Sequence, residues 1–299
     1  MKQFARSEKH IVSLFNPGEE FNFEGSMYEV ILSGKPTTKR GEPKTDIYVR
    51  SRQLQNGNEI EFKISFKQEN ADFLENKMTP ERAEQIFGER WQEIICSFTT
   101  QIKNCFLSRP FIYKSKFRRT QAGSITLGWR FELLNKRGGD LSDIVRLSNE
   151  AVLEVYAGKK LDDKKRNATV NGLKIQESGV ANYIVNCNIE NLHTTQEVVN
   201  HLIPIEDFAM CNPNVYFACK ALNYRTFDKK FEGSRALSVY IDWQVKDGKL
   251  HPDVIFDNPL IIRGKEVAEK LIKNLDYLKI ADTEDINSSN VSSLNHIHF

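Results

Sequence analysis

Alternation of apolar and polar residues begins at residue 27. "MYEVILSG" (residues 27–34) has the two-residue period of a strand and stops at Gly34. "KPTTKRGEPK" (residues 35–44) has no period and reads as a loop. Two alternating runs follow on either side of Asn56-Gly57, the pair most often found where both central residues of a hairpin turn need φ > 0. Residues 69–77 are expected to form a short helix, and Thr79-Pro80 reads as the N-cap and first position of a longer one. In that helix Trp91, Ile94, Ile95, Phe98 and Ile102 fall on one stripe, which predicts helix to about Cys105. Residues 109–123 and 124–134 are strand-like. The texture then changes: helix over 143–158, a polar loop over 161–172, a strand over 180–189, a helix over 194–209 cut by Pro204, and strands over 214–224 and 236–245. A last amphipathic helix covers 264–278. The first twenty residues are weakly patterned, with a turn at Asn16-Pro17-Gly18, and the polar end of the chain is expected to be disordered.

This order predicts an α/β chain: a core over residues 1–140, a second α+β region over 141–283 for DNA recognition or dimerisation, or else one elaborated domain spanning both, and a tail over 284–299. The hairpin carries most of the chemistry. With Asn56-Gly57 as a two-residue loop, Gln55 pairs with Asn58, Asp46 falls opposite Lys67, and Arg52 falls opposite Glu61. Side chains alternate faces along each strand. Ile47, Val49, Ile60, Phe62, Ile64 and Phe66 therefore share the core face, while Asp46, Ser65 and Lys67 cluster on the other face at the open end. Glu61-Phe62-Lys63 has an acidic-x-Lys spacing. It lies six residues back from Lys67, roughly 20 Å at the strand rise, so it reads as a structural ion pair with Arg52. A carboxylate at a strand start with a lysine opposite suits divalent-metal phosphodiester hydrolysis.

The segments "PKTDIYV" and "KISFKQ" resemble the PD-(D/E)xK nuclease superfamily, most closely its type II restriction endonucleases. "PKTD" (residues 43–46) fits the first element, and "SFK" (residues 65–67) fits the second with Ser in the acidic position. The resemblance covers residues 27–134. It implies a restriction-endonuclease-like mixed sheet flanked by helices, with Mg²⁺ (or Mn²⁺) bound by Asp46, Ser65 as a supporting polar group and Lys67 as the catalytic lysine. In one branch of the superfamily a Glu on the following helix replaces the lost carboxylate; Glu81 stands at about that distance, with Glu75 as the competitor. The implied activity is sequence-specific cleavage of double-stranded DNA by a homodimer. Ser65 keeps open a rival, a non-catalytic DNA-binding or assembly protein on a degenerate nuclease fold. A nuclease acting on RNA or branched DNA is a third reading.

Composition narrows little. The 299 residues are 40% hydrophobic and 27% charged, ordinary for a globular protein. A net charge of only +2 leaves nucleic-acid contacts to local clusters. The candidates are Lys35, Lys39, Arg40 and Lys44 in the first loop, then Lys114, Lys116, Arg118 and Arg119 interleaved with Tyr113 and Phe117, and Arg225 in a later loop. Five Cys without a CxxC pair argue against a disulfide framework or a zinc site. No apolar run is long enough for a signal peptide or a membrane span, so a cytoplasmic location is expected.

Overall fold

The computed structural model describes residues 3–39, 41–69 and 71–299, with side chains from Arg6 onward. The chain is mixed α/β. It forms two compact units, each assembled from two separate stretches: Met1–Asp72 with Leu147–Pro213, and Phe73–Arg146 with Asn214–Phe299. The expected division into 1–140 and 141–283 is therefore corrected. Local patterning follows the chain, whereas the first sheet is completed by a strand that returns only after an excursion into the other unit.

The first unit opens with a helix the sequence pattern did not predict, α1 (Gln3–Leu14). Its Ile11, together with Phe15 just beyond its end, is fully buried four positions along one face. Strands β1 (Glu20–Phe23), β2 (Ser26–Gly34), β3 (Ile47–Gln53) and β4 (Glu59–Lys67) form an antiparallel meander. The strand Tyr183–Asn186 then adds parallel to β4, and Ile203–Pro204 pairs antiparallel with it. The parallel step needs a long crossover, which includes the helix Asn149–Ala157. One core holds Ile11 and Phe15 against Ile47, Val49, Phe62, Ile64 and Phe66, with Val198 and Val199 of the helix Thr195–Asn200. Each such side chain contributes about 1.5–3 kcal/mol on burial. The core face assigned to the hairpin is thus the buried one.

The hairpin register differs from the expected one by two residues. Ile47 faces Ile64, Tyr48 faces Lys63, Arg50 faces Glu61 and Arg52 faces Glu59. Four residues, Leu54 to Gly57, make the connection, because Asn56 does not enter the left-handed region. Its side-chain oxygen accepts from the Asn58 amide at 2.9 Å, and Gly57 alone takes φ of 76°. A slip of two preserves the face of every side chain. Glu61 accordingly has a different partner from Arg52. It accepts the Tyr48 hydroxyl at 2.5 Å, and Arg52 pairs with Glu59 at 3.2 Å.

In the second unit the long strands Ser124–Leu134 and Val215–Arg225 lie antiparallel at the centre of a sheet that Val239–Lys246 and Lys249–Ile255 extend. Trp129, Phe131, Phe217 and Trp243 are buried there. The single helix expected after Thr79 is three pieces, Pro80–Phe87, Trp91–Gln101 and Lys103–Leu107, the first break falling at Gly88 with φ of 79°. Residues 73–75, expected to be helical, form a strand instead. The expected disordered tail over 284–299 is ordered: Ile286, Val291 and Ile297 are buried, and Ile297–His298 pairs parallel with Ile112–Tyr113. Three apolar residues spaced through an Asn/Ser-rich stretch are enough to dock it. No helix among the described residues is long and apolar enough to cross a membrane.

Candidate active site

Asp46 immediately precedes β3. Its amide donates to the Ile64 carbonyl at 2.8 Å, so the residue continues the ladder beyond the strand. Its carboxylate accepts from the Phe66 amide at 2.8 Å. That bond fixes the carboxylate beside Ser65 and Lys67. Ser65 is buried, and Lys67, half-buried, ends β4 next to Asn186 of the parallel strand. Asp46, Ser65 and Lys67 are therefore brought together, although the register places Asp46 alongside residues 64–66 rather than directly across from Lys67.

A second carboxylate approaches this group from outside the hairpin. It is Glu8, on α1. Gln68, the residue after Lys67, donates to the Ser7 hydroxyl at 3.1 Å and ties the end of β4 to that turn of the helix. Glu8 pairs with Lys35, which follows β2. Burial raises the Asp46 carboxyl above the usual aspartate range. The Lys67 ammonium pulls it down, Glu8 pushes it up, and the Phe66 amide and Lys35 lower it. Two carboxylates and two ammonium groups thus share one electrostatic neighbourhood, supplied by α1, the residue before β3, the end of β4 and the loop after β2.

Glu75 and Glu81, expected to supply the second carboxylate, belong to the other compact unit. Glu75 pairs with the buried Arg82 at 2.9 Å, and Glu81 is exposed in the first turn of Pro80–Phe87, where a helix N-terminus favours an acid. Sequence reasoning missed Glu8 because the first twenty residues carry only a weak pattern. The usable signal is an acid three positions ahead of Ile11 and seven ahead of Phe15, on an otherwise apolar stripe.

The basic candidates separate. Lys39 is exposed, the Lys44 amide donates to the Gly179 carbonyl at 2.9 Å, and Arg40 lies outside the described residues. In the second unit the Lys114 ammonium donates to the Glu284 carbonyl at 3.0 Å, and Arg118 pairs with Asp140 at 3.5 Å. Arg225 contacts Asp228 at 3.2 Å and Glu232 at 3.7 Å, while Lys116 and Arg119 are exposed.

Among the described residues no group of three or more His, Cys, Asp or Glu side chains is arranged to hold a metal ion. Two carboxylates completed by water are instead the donor set that Mg²⁺ takes, since it binds through one or two carboxylates and keeps several waters. The hard oxygen donors of Asp46 and Glu8 fit that ion and suit soft, thiolate-preferring metals poorly. No family model, curated protein or solved structure matches this chain.

Proposed function

We propose that the chain is a Mg²⁺-dependent nuclease that hydrolyses phosphodiester bonds of double-stranded DNA, with its site in the first unit. The observation that carries this reading is Glu8. A carboxylate from α1 joins Asp46 and Lys67 within a helix, antiparallel strands, helix, parallel strand order, which supports the PD-(D/E)xK resemblance with a different second acid from the one expected. Asp46 and Glu8 would hold the ion. Bound there, it supplies polarisation of the scissile phosphate and a more acidic water.

The chain's own groups have separable roles. The Phe66 amide orients Asp46. Lys67 places a positive charge where the attacking water and the developing phosphate charge are to be stabilised. Lys35 balances Glu8 in the metal-free chain. Cutting both strands of a duplex calls for two such sites, so a homodimer belongs to the same proposal. Ser65 at the usual acidic position favours the rival reading, a DNA-binding protein without catalysis.

Nicking of supercoiled plasmid separates the two. The wild type is expected to nick with Mg²⁺ and not in EDTA. Asp46→Ala and Lys67→Ala are each expected to lower that rate by about 100-fold or more while still binding duplex DNA. Binding without any metal-dependent nicking by the wild type would favour the rival.

A further inference from the structure

Residues 158–181 lie between the crossover helix Asn149–Ala157 and the parallel strand Tyr183–Asn186. They are fastened along the loop that leads from β2 to Asp46. Thr37 and Thr169 exchange both backbone hydrogen bonds at 2.9 Å. Asn171 donates to the Ser33 carbonyl at 2.8 Å, and the amides of Lys44 and Thr45 both donate to the Gly179 carbonyl, at 2.9 and 3.3 Å. Glycines let the two segments close. A Cβ on Gly179 would sit 3.0 Å from the Pro43 side chain, and a Cβ on Gly158 would sit 2.6 Å from the Lys44 side chain. The two segments therefore touch from the end of β2 to the residue before Asp46.

The joined segments are strongly basic. Residues 35–45 and 158–181 carry ten Lys and Arg against four Asp and Glu, whereas the whole chain is only +2. Part of that charge is consumed internally: Lys159 pairs with Glu206, Lys165 with Asp162, and Arg166 with Glu177. Lys39, Lys160, Lys164 and Lys174 are exposed and have no ion-pair partner among the described residues. A protein that neutralised its own surface would pair these cations with the acids beside them. Unpaired ammonium groups on a wall that ends at a hydrolytic carboxylate suit a polyanion whose charges repeat along a strand.

We propose that segment 158–181, zipped to the 35–45 loop, is the surface that grips the phosphate backbone of the nucleic-acid substrate, through Lys39, Lys160, Lys164 and Lys174. This rests on the nuclease reading of the Asp46 site and names the element that presents the strand to it. These lysines meet phosphates, so they position the duplex without selecting its sequence.

The test is the fourfold variant Lys39→Gln/Lys160→Gln/Lys164→Gln/Lys174→Gln. Binding of a short fluorescently labelled DNA duplex is measured in EDTA across a salt series, beside plasmid nicking in Mg²⁺. Affinity is expected to fall at least about tenfold, and the plot of log affinity against log salt to flatten by about 0.9 for each phosphate that the variant no longer neutralises. Unchanged affinity and slope, or a wild type that does not bind duplex DNA, would overturn the proposal. If the wild type nicks and the variant binds as tightly, the gripping surface falls and the nuclease stands. If the variant binds weakly but the wild type never nicks, the surface stands and the nuclease falls.

Discussion

The Asp46 carboxyl accepts the Phe66 amide and feels the nearby Lys67 charge, yet burial and Glu8 hold its pKa above the ordinary aspartate value. The folded chain therefore keeps this proton to higher pH than the unfolded chain does. Stability is lost as pH rises from the usual aspartate range through the raised value, and the full cost is present above it. Asp46→Asn removes the charge and keeps an oxygen for the Phe66 amide. In EDTA near neutral pH this variant is expected to melt higher than the wild type, by on the order of 2–4 °C for each kcal/mol relieved, with the difference vanishing at acid pH. If Asp46 holds the ion as proposed, added Mg²⁺ raises the wild-type midpoint and leaves the variant unchanged, since a ligand that binds only the folded state stabilises it. Thermal melts over a pH series, with and without Mg²⁺, check both. A variant that melts lower than the wild type in EDTA at neutral pH would mean that Asp46 is an ordinary stabilising ion pair.

At the scale of elements, two Asn-Gly pairs in one chain behave differently. Asn171 and Gly172 take φ of 47° and 84° and close a two-residue hairpin between Val170 and Leu173, whereas Asn56 caps the Asn58 amide with its side chain and lengthens its loop to four. The dipeptide alone does not distinguish these outcomes, so the sequence leaves the exact register open. The faces are legible, because Val49, Phe62, Ile64 and Phe66 fix them through burial and a slip of two leaves them intact. Asp46, Ser65 and Lys67 are legible for the same reason. Glu8 is not, since its relation to Asp46 depends on a helix docking across the sheet, which no local pattern encodes. In the tail, a polar composition masks three buried residues. Deleting residues 284–299 strips Ile286, Val291 and Ile297 from the second unit, at about 1.5–3 kcal/mol each. The truncated chain is expected to show a clearly lower thermal midpoint by circular dichroism, and an unchanged midpoint would mean that the docked tail adds no stability.

For the whole molecule, the consequence of the interleaved units is that the Asp46 cluster and segment 158–181 belong to one of them. Met1–Asp72 supplies Glu8, Lys35, Asp46, Ser65 and Lys67, and Leu147–Pro213 supplies the parallel strand beside Lys67 and segment 158–181. The second unit, with its central Ser124–Leu134 strand, holds Glu75 and Glu81 in helical and ion-pair roles of its own. The proposed nuclease would hold its metal through two acids of the first unit, Asp46 and Glu8. Calorimetric titration of the metal-free full chain with Mn²⁺ tests this directly. The wild type is expected to bind Mn²⁺ with an affinity that Glu8→Gln weakens by more than about tenfold, some 1.4 kcal/mol, and that Glu81→Gln leaves unchanged. Wild-type affinity in Glu8→Gln, or weakened binding in Glu81→Gln, would contradict the account.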